Sequence, residues 1–167
     1  MTELSVCLYC MIQATVLLLI ANGAPILATK ILGNRRARPV DNRVTLGDGQ
    51  RLFGDTKTWR GCCLAMLSTT LAALLSDIDP MTGLVFGALA MTGDLLASYI
   101  KRRMNCAESG HSRGLDTVPE SLLPVLTLKT SLMLSWIDIS LIVVVFFLIE
   151  EFVSPILYRL HIRKRPY

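Results

Sequence analysis

Residues 81–103 read MTGLVFGALAMTGDLLASYIKRR, an apolar run that contains the carboxylate of Asp94 and ends in three cations. About 20 apolar residues are enough to cross a bilayer as a helix. An ionisable residue inside such a helix is costly and by default marks a function. Asp94, Ser98 and Lys101 recur at intervals of four and three residues, so they share one helix face. This stretch therefore predicts a membrane helix with a functional polar face at its basic end.

Four further apolar runs flank this stretch. The chain has 167 residues, of which 52% are hydrophobic, and its mean hydropathy is +0.51. Only helices or a closed barrel can span lipid, and continuous apolar runs favour helices. We therefore expect an all-α integral membrane protein with a single membrane domain, residues 1–167. Its helices are expected at about 4–29, 60–76, 81–100, 121–137 and 139–160.

The placement of positive charge predicts the orientation. All but one of the 17 Lys and Arg lie in two polar loops, 30–59 with the adjoining Arg60 and 101–120, or in a basic tail, 159–167. The positive-inside rule makes the face that carries these three segments cytoplasmic. The expected protein is multi-pass in the cytoplasmic membrane, with its N-terminus outside, its C-terminus inside and its active site on the cytoplasmic face. A signal peptide is the alternative for the first run, but no basic region precedes Leu4.

The first loop has the composition of a ligand site. Residues 39–61 read PVDNRVTLGDGQRLFGDTKTWRG, with three carboxylates, four cations and four glycines. At a membrane surface this combination suggests a site for a metal and a phosphorylated ligand. A triphosphate needs a divalent metal held by one or two carboxylates, cations for the remaining charge, and backbone N–H groups. The candidates are Asp94, Asp116 and Asp48 for the metal, Lys57, Arg51, Arg60, Lys101 and Arg102 for the phosphates, and Gly47–Gly49 and Gly54 for the turns.

Several familiar chemistries lack their parts. The sequence has no G-x-x-x-x-G-K-[ST] loop, no G-x-S-x-G elbow and no H-E-x-x-H motif. It has only two His. A phosphate monoester with a second pKa of about 6 is already anionic at neutral pH and needs no general base. The near absence of His therefore fits a phosphate that attacks another phosphate.

Other polar or flexible positions leave alternatives open. Asn22 and Pro25 predict a break in the first helix, which is either a packing kink or an opening that turns Asn22 towards a cavity. Asp116 is a metal ligand or a helix N-cap. Lys129 and the pair at 150–151 must each pair, snorkel or face water.

Small residues predict close helix contacts. Gly83 and Gly87 have small-xxx-small spacing, as do Gly93 and Ala97. The cysteines, including the C-x-x-C pair at 7 and 10, are interpreted as small apolar residues.

Taken together, these residues resemble the CDP-archaeol synthase family of archaea. The blocks that carry the resemblance are Asn22 and Pro25, Pro39-Val40-Asp41, Gly47-Asp48-Gly49-x-Arg51-x-Phe53-Gly54, Lys57-Thr58-Trp59-Arg60-Gly61, Gly93-Asp94-x-x-x-Ser98-x-x-Lys101-Arg102-Arg103 and Gly114-Leu115-Asp116-x-x-Pro119. They run in order over almost the whole chain, and the second glycine-aspartate block also resembles the CDP-diacylglycerol synthase signature.

The resemblance implies a CTP-dependent cytidylyltransferase that requires Mg²⁺. It implies transfer of CMP to 2,3-bis-O-geranylgeranylglycerol 1-phosphate, a membrane ether lipid of archaeal phospholipid biosynthesis, with release of pyrophosphate. Nucleic acid is not an expected partner. The implied roles are metal binding for Asp94 and Asp116, catalysis for these two and Lys57, nucleotide and phosphate binding for Asp48, Gly49, Arg51, Gly54, Lys57, Thr58, Trp59, Arg60, Ser98, Lys101 and Arg102, and lipid-phosphate binding for Asn22, Pro25 and Asp41. Ala107-Glu108 replaces a Lys-Asp pair of the bacterial relatives, which puts a role for Glu108 in doubt.

Two other classes of protein are alternatives. A CDP-alcohol phosphotransferase also uses Asp and Mg²⁺ at a membrane, but Asp48-Gly49 is followed here by Gln50-Arg51, and the spacing of that signature fails. A non-enzymatic anion transporter could use the intramembrane charges, but five unlike helices give no sign of the internal repeats of many transporters.

Overall fold

A computed structural model of the chain describes residues 6–33, 37–104 and 114–159. This part of the chain forms five helices: α1 (Leu8–Leu32), α2 (Trp59–Leu75), α3 (Pro80–Arg103), α4 (Thr117–Thr127) and α5 (Trp136–Arg159). Its only extended pairing is two isolated β-bridges in the loop between α1 and α2. The prediction of an all-α fold is confirmed. By length and composition, α1 and α3 could each cross a membrane, and α2 is a shorter apolar helix. The number of spans and the orientation stay predictions.

Side-chain caps set where the helices begin. The Thr58 side chain accepts a hydrogen bond from the Gly61 backbone N–H at the start of α2. The Asp79 side chain accepts one from the Thr82 N–H at the start of α3, where Pro80 fills the first helical position. Each cap satisfies a backbone donor that the helix leaves unpaired, and Pro has no donor to satisfy there. These caps place the start of α2 directly after the polar loop.

The fourth predicted span is wrong. The expected helix at 121–137 is interrupted, because α4 ends at Thr127 and α5 begins at Trp136. Eleven residues rise about 16 Å at 1.5 Å each, too little to cross a hydrocarbon core of about 30 Å. Between the helices, Lys129 lies 4.5 Å from the centre of the Trp136 ring. Lys129 therefore lies in a connection rather than half-way along a membrane helix.

Buried polar contacts hold this connection in place. The Asp138 carboxylate is fully buried and accepts from the backbone N–H groups of Ser135 and Cys7. The beginning of α5 is thereby tied to the beginning of α1. Cys7 and Cys10 form a disulfide here, so the interpretation of this pair as small apolar residues is wrong. Hydropathy could not show this, because it counts apolar residues and ignores specific polar contacts.

Glycines allow α3 to contact α2 and α4 closely. A Cβ atom added to Gly83 would lie 2.5 Å from Ala73 Cβ, and one on Gly87 would lie 2.9 Å from Met66 Cα, both in α2. A Cβ on Gly93 would lie 2.6 Å from Glu120 Cα and would clash with the Pro119 carbonyl oxygen in α4. These contacts confirm the small-residue prediction at Gly83 and Gly87. Gly93 sets the distance between α3 and α4 beside Asp94.

Gly93→Ala is expected to lower both stability and activity. Its Cβ would meet backbone atoms that cannot rotate away, so α4 must shift, at a cost of roughly 1–3 kcal/mol as for other overpacked sites. Thermal unfolding in detergent measures this. Gly23→Ala in α1 is the matched control, because no atom lies within 4 Å of its Cβ position. A loss of stability equal in the two variants would contradict the close α3–α4 contact.

Candidate active site

Two ion pairs lie along the C-terminal half of α3. Lys57 Nζ is 2.5 Å and 2.6 Å from the two carboxylate oxygens of Asp94. Lys101 Nζ is 2.7 Å from Asp116 Oδ2. Asp94 and Lys101 are seven residues apart on α3, while their partners come from the polar loop and the residue that precedes α4. The helix therefore gathers two distant segments along one face, as the spacing predicts.

Lys57 remains a cation in this setting. Burial opposes its charge, but the negative charge of Asp94 and the hydrogen bonds to it outweigh burial, and the pKa of Lys57 is raised. Glu120 and Asp116 act in the same direction from further away. The structure therefore places the Lys57 ammonium group beside the carboxylates of Asp94 and Asp116 and the buried carboxyl group of Glu120. Such an arrangement is typical of a functional site rather than of a surface salt bridge.

Glu120 belongs to this group, although the sequence predicted no function for it. It lies in the first turn of α4, its exposure is only 5%, and Asp94, Lys57 and Asp116 are all within electrostatic range. It directly precedes the helix that the sequence predicted at 121–137, and a Glu is common at the start of a helix. The signal that could have identified it is its spacing of four residues from Asp116. In a helix this spacing puts two acidic side chains on one face.

Asp116 itself makes a contact that the N-cap alternative does not explain. It occupies the N-cap position of α4, but its side chain makes no capping hydrogen bond. Its carboxylate pairs with Lys101 instead. The capping interpretation is therefore wrong, and Asp116 keeps its place among the candidate site residues.

Asp41 organises the polar loop from inside. Its carboxylate accepts from the Arg51 guanidinium at 2.7 Å and 3.2 Å and from the backbone N–H groups of Arg43, Phe53 and Gly54. Burial opposes the charge, yet these hydrogen bonds, that of Arg51 the largest, hold the pKa of Asp41 far below its usual range. All these partners belong to the loop. Asp41 therefore orders the loop, and the lipid-phosphate role that the resemblance implies for it stays a prediction.

A second set of contacts fastens the loop to α3. Arg103 pairs with Asp48 and donates to the backbone carbonyl of Arg51 at 2.8 Å. The Asp48 carboxylate also accepts from the Gln50 N–H, and this hydrogen bond is the main cause of its lowered pKa. Asp48 and Arg51 are thus engaged in holding the loop on α3. The resemblance implied nucleotide contacts for both residues and no role for Arg103.

The remaining predicted residues fall into three groups. Gly49 and Gly54 have φ angles of +74° and +98°, which glycine adopts readily, and both shape the loop. Thr58, Trp59 and Arg60 serve the start of α2: Thr58 caps it, the Trp59 N–H donates to the Arg38 carbonyl, and Arg60 donates to the Gly33 carbonyl. Ser98 and Arg102 are buried on α3, and Arg102 Nε has no hydrogen-bond partner among the described residues. Glu108 and the basic tail after Arg159 lie outside the described residues.

The donor set at this site suits Mg²⁺. That ion is usually held by one or two carboxylates together with substrate phosphates and water. Asp94 and Asp116 supply two carboxylates, each now paired with a lysine. Within residues 6–33, 37–104 and 114–159, no three His, Cys, Asp or Glu side chains are placed to hold an ion by themselves. Phosphate oxygens would therefore have to complete the coordination.

Asp41→Asn is expected to destabilise the protein at neutral pH by roughly 3 kcal/mol, the magnitude seen when one partner of a buried ion pair is removed. Because the folded-state pKa is lowered, the contribution of Asp41 is present above its ordinary value of about 3.8 and is lost as pH falls through the folded value. Unfolding curves of both proteins at several pH values test this. The gap between wild type and variant should narrow below about pH 4, and a gap independent of pH would contradict the prediction.

Comparisons with known proteins identify the family of this chain. The family model described as CarS-like, CDP-archaeol synthase, matches residues 8–167. The CDP-archaeol synthase of Sulfurisphaera tokodaii is 31% identical over 156 residues, covering 89% of this chain and 90% of the relative. That of Pyrobaculum islandicum is 30% identical, with 89% and 92% covered. A solved structure of an intramembrane enzyme for archaeal membrane lipid biosynthesis superposes with a TM-score of 0.65, at 24% identity, over 83% of this chain and 91% of the other. The chain belongs to the CDP-archaeol synthase family.

Proposed function

We propose that the polar loop, the basic end of α3 and the start of α4 bind CTP and the phosphate of a membrane lipid, and that CMP passes between them here. As a member of its family the protein is a CTP-dependent cytidylyltransferase of archaeal lipid synthesis. The observation that carries the assignment to this site is the Lys57–Asp94 pair, because it joins the polar loop to a carboxylate inside the apolar helix α3. We assign 2,3-bis-O-geranylgeranylglycerol 1-phosphate as the lipid.

Binding would exchange partners between charges that are already paired. Lys57 and Lys101 each hold a carboxylate in the structure. When phosphate oxygens arrive, the two ammonium groups can turn to them, and Arg102 adds a third cation on the same helix. Asp94 and Asp116 would then be free to hold Mg²⁺. The pairs hold the carboxylates and the cations in position before the substrates bind, so little reorganisation remains for the reaction.

The chemical step needs no general base from the protein. The lipid phosphate is largely dianionic at neutral pH because its second pKa is about 6. One of its oxygens forms a bond to the α-phosphorus of CTP, and the bond from that phosphorus to the bridging oxygen of pyrophosphate breaks. Lys57 neutralises charge that develops on the phosphate oxygens. When bound, Mg²⁺ would polarise the same oxygens and support the leaving group.

The position of the site fits both substrates. It lies where α3 ends in Lys101, Arg102 and Arg103, and the positive-inside rule assigns such an end to the cytoplasm, where CTP is available. The helices below it are apolar and would keep the lipid tails in the membrane. We therefore infer a multi-pass enzyme whose active site opens to the cytoplasm.

The test is an assay of pyrophosphate release by the purified protein in detergent. Release should need CTP, a dialkylglycerol phosphate and Mg²⁺ together, and EDTA should stop it. Release of CMP in place of pyrophosphate would indicate a CDP-alcohol phosphotransferase. A well-folded protein that releases neither product would overturn the proposal.

A further inference from the structure

One amide in α1 has no partner within the described protein. Asn22 Nδ2 is buried and makes no hydrogen bond there. A buried unpaired polar group costs about 1–3 kcal/mol, so a retained one needs an explanation. Pro25, inside the same helix, has no N–H, so the helix cannot supply its usual hydrogen bond to the Ala21 carbonyl. The polar groups of α1 are therefore under-satisfied at one level of the helix.

This level lies one turn from the active site. Asn22 and Pro25 are three residues apart and share a helix face. That face meets the start of α2, because a Cβ added to Gly61 would lie 3.4 Å from Pro25 Cβ and 3.3 Å from Thr58 Oγ1. Thr58 follows Lys57 directly. Asn22 thus lies about 4.5 Å further from the polar end of α1 than Pro25, a little less than one helical turn.

The helix is open beside Asn22. A Cβ added to Gly23 would find no atom within 4 Å. An apolar chain could therefore lie against α1 at this point without displacing a side chain. A membrane lipid fits this arrangement, because its phosphate would lie near the level of Pro25 and its apolar chains would begin near the level of Asn22.

We propose that the Asn22 carboxamide donates a hydrogen bond to a glycerol oxygen of the lipid substrate. The inference rests on the proposed function, and it specifies that the protein recognises the glycerol part of the lipid as well as its phosphate. In a dialkylglycerol phosphate the ether oxygens are the next polar atoms after the phosphate, a few bonds nearer the tails. With the phosphate beside Lys57, they reach the level of Asn22. An ether oxygen only accepts hydrogen bonds, and the unpaired atom of Asn22 is a donor.

Two lipid substrates separate this role from a general one. Asn22→Leu removes the donor at similar volume and should raise KM for a dialkylglycerol phosphate by about tenfold, which is the scale of one hydrogen bond. KM for CTP should not change. With a long-chain alkyl phosphate that lacks the glycerol oxygens, variant and wild type should perform alike. Equal losses with both lipids, or a matching rise in KM for CTP, would overturn the inference.

Controls distinguish this result from a folding defect and from failure of the proposed function. Gln13→Leu makes the same change at the far end of α1, where the amide donates to the Ser76 carbonyl and Tyr9, and it should leave the preference between the two lipids unchanged. If Asn22→Leu does not fold, Asn22→Ala should show the same split in KM. Wild type without pyrophosphate release would refute the proposed function. Active wild type with an Asn22→Leu variant that handles both lipids normally would refute only the glycerol contact.

Discussion

Asp94→Asn is expected to lower kcat for cytidylyl transfer by roughly a thousandfold, about 4 kcal/mol of transition-state stabilisation. The change keeps the shape of the side chain and removes its charge. The amide of the variant can neither form the ion pair with Lys57 nor serve as an anionic ligand for Mg²⁺. Steady-state assays of pyrophosphate release at saturating CTP and lipid measure the effect.

Asp79→Asn is the matched control for this variant. It makes the same substitution in the N-cap residue of α3, whose side chain caps the Thr82 N–H, and Asn caps a helix as well as Asp does. Its activity should equal that of wild type. A folded Asp94→Asn protein that keeps more than about a tenth of wild-type activity would rule out the catalytic role of Asp94, because a lost metal ligand or charge contact costs more.

Lys57→Met is expected to reduce activity by roughly a hundredfold or more, since it removes one preorganised cation from the phosphate site. It should also destabilise the fold by roughly 3 kcal/mol, because Asp94 keeps its charge without its partner. The loss of stability can be reversed separately from the loss of activity. The double variant Lys57→Met with Asp94→Asn should recover most of the stability and none of the activity.

The pH dependence gives a second check on this pair. The pKa of Lys57 is raised, so its contribution to stability is fully present below the ordinary lysine value of about 10.5 and is lost only as pH rises above it. Lys30→Met, an exposed change in the last turn of α1, is the control and should alter neither property. A double variant less stable than either single variant would contradict the pairing of Lys57 with Asp94.

Much of the helical architecture followed from local rules. The apolar runs predicted four helices near their observed positions, because each run is long enough to require a helix in lipid. The prediction for the fourth run failed because Lys129 on the Trp136 ring and the backbone hydrogen bonds to the buried Asp138 fix a connection inside an apolar stretch. Hydropathy averages over such contacts.

The candidate site likewise has one part that the sequence predicted and one part that depends on the tertiary structure. Asp94 and Lys101 share a face because of helix periodicity, which the spacing of the residues gives directly. The pairing of Lys57 with Asp94 spans 37 residues and depends on how the polar loop lies on α3. That placement is made by Arg103 and by the hydrogen bonds around Asp41.

The sequence by itself determined an all-helical membrane protein, the family, and the acidic and basic residues from which a nucleotide site could be built. Only the tertiary structure decided which of these acids face that site. Asp41 and Asp48 are satisfied within the loop and at its junction with α3, while Glu120 joins Asp94 and Asp116 across the contact that Gly93 permits. The physical reason is that a carboxylate has the same composition and charge wherever it occurs. Its role depends on the donors and cations that folding brings to it, and those come from segments far apart in the chain.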